Sequence, residues 1–359
     1  MLRAESSGLA GVLPVDVSSR TERDRYSRQT RFSGIGPSGQ ERLRAARVLV
    51  VGCGALGSAA VDLLARAGVG HLTVVDRDLV ELSNLQRQVL FDEADAAAGL
   101  PKAIAAAKAV ARINSEVAVV PVVADVTPAN VEGLVEGAQV VIDGTDNLET
   151  RYLVNDVCVK RGVPWIYGGA VASTGMAMAI VPGETACFRC LFPGGAPPGT
   201  MATCDTAGVL ASTVVSVASF QWTAAVKLLV GTREGVGELA AFDVWSQDHE
   251  HTPVPRRPDC PCCGQRRFEY LEARATSRTA TLCGRNAVQV SPPEAVSLDL
   301  VTLAQRLASA GEVTPKGGFL LCFAVDGYEL TIFPDGRAIV KGTSDPSVAR
   351  TLYARYVGG

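Results

Sequence analysis

Short apolar runs alternate with helix-period segments through the first half of the chain. Arg47-Val-Leu-Val-Val51 is a compact β-branched run of the kind that fills a strand buried on both faces. After Gly52–Gly57, an Ala/Leu-rich segment reads as a helix to about Ala67. His71–Val75 is a second strand ending at Asp76, and Pro101–Ile113 is a helix with proline at its start. Val117–Val123 and Gln139–Ile142 read as strands, Asn147–Lys160 as a helix and Pro164–Tyr167 as a further strand. Strands alternating with helices predict a Rossmann-like α/β fold, a mostly parallel sheet with right-handed crossovers. Ahead of it, residues 1–46 read as a polar arm and a short helix, Gly39–Ala46.

The pattern changes after Gly168. Met176–Val181 looks like an antiparallel extension, a Gly/Pro-rich loop covers Phe192–Thr200, and Glu238–Asp243 is a strand. Val209–Val230 is long and mostly apolar, but Ser212, Thr213, Ser216, Ser219, Gln221, Thr223 and Lys227 make it expensive as a membrane span, so it reads as a buried helix. The main α/β domain is thus expected over residues 47–270. From about Ala273 a small α+β domain (273–359) begins, with a strand, a helix at Leu298–Ala308, strands at Phe319–Val325, Tyr328–Phe333 and Arg337–Lys341, and a helix at Ser347–Tyr356. Pro334–Arg337 is a turn between two of these strands.

Composition narrows the function. Of 359 residues 47% are hydrophobic, which predicts a packed core, and the formal net charge of −3 argues against nucleic-acid binding, which needs a basic face. Met1–Arg23 has no apolar run of signal-peptide type, so a cytoplasmic protein is expected. There thiols stay reduced, and ten cysteines against three histidines point to metal binding or catalysis before disulfides.

Gly52-x-Gly54-x-x-Gly57 lies between a predicted strand and helix, where backbone can approach a phosphate at a positive helix end. Asp76 ends the next strand, where a carboxylate can bind ribose hydroxyls. This much fits an NAD-dependent oxidoreductase equally well. Asn84, Arg87 and Lys102 add donors suited to a triphosphate, which adenylyl transfer requires and hydride transfer does not. Asp143-Gly-Thr-Asp-Asn147 ends another strand; Asp146 either holds Mg²⁺ or caps the following helix, and Asn147 is the other candidate cap. Cys187-x-x-Cys190 and Cys260-x-Cys262-Cys263 form two ligand pairs suited to a closed, structural Zn²⁺ site, with Cys262 a possible substitute for Cys260 or Cys263. His249 and His251 are the histidines near enough to compete. Cys53, Cys158, Cys283 and Cys322 sit in apolar surroundings and read as core.

Taken in order, Arg25-Tyr-Ser-Arg-Gln29, Gly52-Cys-Gly-Ala-Leu-Gly57, Asp76-Arg-Asp78, Ser83-Asn-Leu-Gln-Arg-Gln88, Pro101-Lys102 and Asp143-Gly-Thr-Asp-Asn147 resemble the ThiF/MoeB/HesA family, relatives of the ubiquitin-activating enzymes. The resemblance covers about residues 20–265. It implies an ATP- and Mg²⁺-dependent adenylyltransferase acting on the C-terminal Gly-Gly of a ubiquitin-like sulfur-carrier protein. It implies that the Gly-rich loop (Gly52, Gly54, Ala55, Leu56, Gly57) and Asp76 bind the adenosine part. Asn84, Arg87 and Lys102 would contact the phosphates and Asp146 would bind Mg²⁺, with Asp78, Gln88, Asp143, Thr145 and Asn147 also lining the nucleotide site. Arg28 would reach a partner subunit's site, which implies a homodimer. The Zn²⁺ pairs match the family's positions, and Cys204, in Thr203-Cys-Asp-Thr-Ala-Gly208, matches its sulfur-handling cysteine, which would bring in a sulfurtransferase or cysteine desulfurase as partner. A branch of the family that acts on tRNA as a dehydratase is the alternative within it; the cysteine pairs favour the carrier branch. The pathway, whether thiamine, molybdopterin, tRNA thiolation or cysteine, stays open. Gly358-Gly359 at the end of the chain follows a predicted helix and reads as coincidental rather than as a carrier tail.

Overall fold

The computed structural model describes residues 25–146, 148–193, 207–272, 279–282, 286–291 and 297–357. Expectations for the N-terminal arm, Asn147, Cys204, Cys283 and Gly358-Gly359 lie outside the described residues.

The first sheet contains β1 (Arg47–Val51), β2 (His71–Val75), β3 (Ala118–Val122), β4 (Val140–Asp143), β5 (Trp165–Val171), β6 (Thr174–Ile180), β7 (Glu238–Asp243) and β8 (Asp248–Pro253). Their order is β3-β2-β1-β4-β5-β6-β7-β8. The strands from β3 to β5 are parallel, and β5 to β8 pair antiparallel. This is the Rossmann-like sheet with antiparallel extension expected from the sequence. Every residue of β4 and all but the first of β1 are buried, because helices cover both faces. One face carries the helices Ala55–Arg66 and Lys102–Ile113, with Leu64, Val61, Ala106 and Val110 packed on Val48, Val50 and Leu72. The other carries Leu148–Arg161, whose Leu153, Val154 and Val157 pack with Leu49, Val141 and Trp165.

Several elements depart from expectation. The helix before β1 begins at Gly36, and a separate short helix, Ser27–Arg31, precedes it. β5 runs on through Gly168 to Val171 because β6 pairs along its full length. β8 (sequence DHEHTP) is exposed throughout and carries no apolar pattern; its charges blunt a free sheet edge. The helix Glu93–Ala98 has readable ends, an Asp92/Asp95 capping box and Gly99 in the left-handed region. The long helix Ala211–Val230 is apolar and long enough to cross a membrane. It packs against the sheet and the helix Ala55–Arg66, and it is half-buried rather than buried: Val214, Val217 and Gln221 face inward while Val215 and Phe220 are exposed. Cys53 and Cys158 are core, as expected, but Cys322 is only partly buried.

The second sheet is antiparallel, in the order β11-β12-β13-β14-β10-β9, from β9 (Thr279–Leu282), β10 (Ala287–Val290), β11 (Glu312–Lys316), β12 (Leu320–Val325), β13 (Tyr328–Ile332) and β14 (Ala338–Lys341). The helices Leu300–Leu307 and Pro346–Tyr356 close its core over Phe323, Leu330 and Val340. Pro315 explains why β11 was not anticipated; proline is tolerated because this strand is an edge.

Leu64 is fully buried under the parallel strands. Leu64→Ala is expected to lower unfolding free energy by about 2–5 kcal/mol, read from urea denaturation.

Candidate active site

The order β3-β2-β1-β4 places a switch point between β1 and β4, where the carboxyl ends of parallel strands open a crevice for ligands. Gly52 leaves β1 with φ +84°, a conformation that favours glycine. A Cβ on Gly52 would stand 2.7 Å from the Gly144 carbonyl oxygen, and one on Gly57 1.9 Å from the Gly52 carbonyl oxygen. The glycine turn therefore lies backbone to backbone against the residue that follows β4. Ala55, Leu56 and Gly57 begin the helix Ala55–Arg66, with Gly54 at its N-cap.

Asp76, at the end of β2, is buried. Its Oδ2 accepts from the Cys53 amide at 2.5 Å and its Oδ1 from the Asp78 amide at 2.7 Å. Burial raises its pKa, against the pull of the Lys102 ammonium. Lys102 is 3% exposed, and its Nζ lies 3.0 Å from Asp78 Oδ2. Asn84 is buried; its Oδ1 accepts from the Glu81 amide, closing a capping box on a one-turn 3₁₀ helix, Leu82–Asn84. Arg87 Nη1 donates to the Ser83 carbonyl at 2.9 Å. Gln88 lies beneath the glycine turn, its Nε2 4.0 Å from where a Gly54 Cβ would be. Its buried Oε1 has no hydrogen-bond partner among the described residues. A buried orphan acceptor beside this turn fits a site completed by a donor such as a nucleotide's ribose hydroxyl, since phosphate oxygens only accept.

At the end of β4 the Asp143 carboxylate is enclosed. Oδ1 accepts from the Thr145 amide and hydroxyl at 2.9 and 2.7 Å, and Oδ2 from Arg151 Nε at 3.0 Å and the Gly168 amide at 3.3 Å. With its oxygens so engaged, Asp143 acts as the brace of the turn. Asp146, one residue past Thr145, is exposed and turned toward solvent. Arg151 was not anticipated. Its guanidinium also donates to the Thr145 and Gly168 carbonyls, and Asp143 holds its pKa high although burial works against the charge. The signal was an arginine in the first turn of a helix whose next residues are core. Arg77 was quoted in the Asp76-Arg-Asp78 motif without a role; it pairs with Asp125 at 3.2 Å, and its Nε lies 3.8 Å from Asp78.

Near the N-terminus, the Tyr26 hydroxyl accepts from Asn114 Nδ2 at 2.8 Å, and Gln29 Nε2 donates to Gln40 and to the Ala67 carbonyl. These anchors flank Arg28, which is exposed.

Cys187, Cys190, Cys260 and Cys263 are all buried, with their sulfurs within 4.8 Å of one another. Cys187 and Cys260 sulfurs lie 3.6 Å apart, and those of Cys190 and Cys263 3.4 Å. A tetrahedron with Zn–S of about 2.3 Å has edges of about 3.8 Å, so the cage fits zinc with little adjustment. Cys262 is not one of the four: it lies beside Cys187, and its Sγ accepts from Asn155 Nδ2 at 3.2 Å. Asn155 Oδ1 in turn accepts from the Phe188 amide, and Asp156 Oδ2 from the Tyr270 and Leu271 amides, so one helix ties down both arms of the cage. Burial pushes the Asp156 carboxyl up to about 6. His249 and His251 lie on exposed β8, away from this cluster.

A glycine turn at a Rossmann-type switch point, an adjacent basic cluster and a four-thiol cage fit a nucleotide-using α/β enzyme. Residues 26–262 match the ThiF family, and the chain belongs to it. It is 42% identical over 336 residues to the sulfur carrier protein ThiS adenylyltransferase of Bacillus subtilis, covering 93% of this chain and 99% of that one. A match of that length takes in the second sheet as well. It is also 45% identical over 253 residues to the SAMP-activating enzyme E1 of Haloferax volcanii, covering 70% and 93% of the two chains. Among solved structures, E. coli MccB with ATP aligns with TM-score 0.59 at 23% identity over 68% of this chain and 75% of that one, a likeness of fold.

The purified chain is expected to carry one zinc by elemental analysis. Cys260→Ser should lose the metal and melt at lower temperature, whereas Cys262→Ser should keep it. Zinc loss on Cys262→Ser would contradict the ligand set drawn here.

Proposed function

We propose that this chain uses ATP to adenylylate the C-terminal glycine carboxylate of a ubiquitin-like sulfur-carrier protein. The observation that carries the reading is the meeting, at one switch point, of the glycine turn, the Lys102–Asp78 pair and the exposed Asp146. Relatives named as adenylyltransferases of such carriers support it over the nicotinamide and tRNA-directed alternatives.

In the reaction a carrier carboxylate oxygen bonds to the α-phosphorus of ATP, and the bond to the bridging oxygen breaks. The acyl-adenylate forms and pyrophosphate leaves. The carboxylate is already ionised at neutral pH, so the protein need not supply a base. Its task is to position the reactants and to neutralise growing charge. The glycine turn and Asp76 take the adenosine end; Asn84, Arg87 and Lys102 take the phosphates, and Gln88 lines the nucleotide site. Asp146 offers a carboxylate to Mg²⁺, while Asp143 and Thr145 hold that turn in place. Arg28, exposed on its anchored segment, reaches the site of a second copy in a homodimer. The zinc cage is structural, since four protein thiolates leave no open position. Residues 47–270 form the adenylating unit and 273–359 an appended one. Cys204 and a sulfurtransferase or cysteine desulfurase partner belong to the later sulfur step.

ATP–pyrophosphate exchange with each candidate Gly-Gly carrier tests this. Exchange should need one carrier and fall about 100-fold or more in Asp146→Ala. Exchange that is independent of any carrier would overturn the substrate assignment.

A further inference from the structure

Arg151 stands where a cation is disfavoured. It lies in the first turn of the helix Leu148–Arg161, at the positive end of the helix dipole. Its side chain is nonetheless mostly buried, and its guanidinium fork engages three acceptors from three places in the chain. Nε lies 3.0 Å from Asp143 Oδ2, and Nη2 donates to the Thr145 carbonyl at 2.6 Å and to the Gly168 carbonyl at 2.9 Å. The guanidinium also lies over the Tyr167 ring, 5.4 Å from its centre. Tyr167 in turn packs at 5.0 Å against Phe188, the residue that follows Cys187 in the cage.

The fork answers a gap in the sheet. β4 and β5 pair at Val141–Trp165 and Ile142–Ile166, and no further ladder pair joins them among the described residues. Beyond that point two side chains join the strands instead. Gln221, on the helix Ala211–Val230, donates from Nε2 to the Asp143 carbonyl at 2.7 Å and to the Ile166 carbonyl at 3.2 Å. That helix packs on the face that carries Ala55–Arg66. From the opposite face, Arg151 joins the Asp143 side chain to Gly168. Its third bond leaves the strands: the Thr145 carbonyl belongs to the peptide group that leads into Asp146. A peptide group is planar, so fixing its oxygen restricts where the Asp146 Cα stands.

We propose that Arg151 is a positioning residue for the Asp146 carboxylate: its fork ties the peptide ahead of Asp146 to the ends of β4 and β5. The inference rests on the reading that Asp146 meets Mg²⁺ with ATP. Arg151 itself touches neither reactant. Lysine at this position can neutralise Asp143, but its compact ammonium lacks the planar fork that spans three acceptors. Charge and fork are therefore separable by one substitution.

The test is ATP affinity by calorimetry, with and without Mg²⁺, in the full chain carrying Arg151→Lys, with zinc content and carrier-dependent pyrophosphate exchange measured on the same samples. Without Mg²⁺, ATP affinity should stay within about twofold of wild type, and zinc content should not change. The gain in affinity on adding Mg²⁺ should shrink about fivefold or more, and exchange should fall with it. In an Asp146→Ala background, Arg151→Lys should reduce that gain no further, because both changes act on the same carboxylate. If Arg151→Lys does not fold, the double variant Asp143→Asn/Arg151→Met, which strands no buried charge, carries the test with the same expectation. A Mg²⁺ gain within about twofold of wild type would overturn the inference, as would equal losses of ATP affinity with and without Mg²⁺ or an effect undiminished in Asp146→Ala. Asp146→Ala alone separates the two levels. If it leaves the Mg²⁺ gain unchanged, the metal reading falls and the inference with it; if it removes the gain while Arg151→Lys does not reduce it, the inference alone falls.

Discussion

Two backbone turns touch, and the site depends on that contact. The glycine turn after β1 and Gly144 after β4 lie so close that a Cβ on Gly144 would stand 2.3 Å from the Gly52 carbonyl oxygen and 2.9 Å from the Gly57 Cα. No side chain fits between them. The Gly52 amide donates to the Val75 carbonyl and the Gly144 amide to the Val51 carbonyl, so three neighbouring strands end in register. The helix N-terminus at Ala55 and the Asp143–Asp146 turn are thereby brought to one crevice. The glycine turn and a candidate metal carboxylate become neighbours because backbone, rather than side chains, sets the spacing.

Around this contact the charges are arranged in fixed pairs. Asp76 is locked by two backbone amides, Asp143 by four donors and Lys102 by Asp78. Such pairing lets ionised groups sit at low exposure without the cost of an uncompensated charge. Preorganised charge of this kind is what a reaction governed by phosphate electrostatics requires. Asp146 differs from its neighbours in being exposed, as a residue must be if it is to meet a hydrated Mg²⁺. The four-cysteine cage does comparable work at the far side, where Phe188, Cys262 and Tyr270 are bonded to the helix Leu148–Arg161.

Much of this was legible in the sequence because it depends on local rules. A β-branched run followed by Gly-x-Gly-x-x-Gly specifies strand, turn and helix together, and β1, β2, β4 and the helices Ala55–Arg66 and Lys102–Ile113 lie close to their expected places, whereas Glu93–Ala98 and Val131–Val135 were not anticipated. The cysteine pairs are equally local, two ligands per turn. What could not be read was set by tertiary contact. β8 carries no apolar pattern and is a strand because β7 offers it an edge. Arg151 and Arg77 look like surface arginines until the fold brings Asp143 and Asp125 against them. The exclusion of Cys262 from the cage follows from where Asn155 stands, about a hundred residues earlier in the chain.

The most direct measurement is equilibrium ATP binding to Gly144→Ala by calorimetry, with bound zinc quantified in the same sample. If the contact between the two turns builds the nucleotide site, affinity for ATP should fall about tenfold or more while zinc content stays at the wild-type level. Wild-type ATP affinity in a folded, zinc-loaded Gly144→Ala protein would contradict the account.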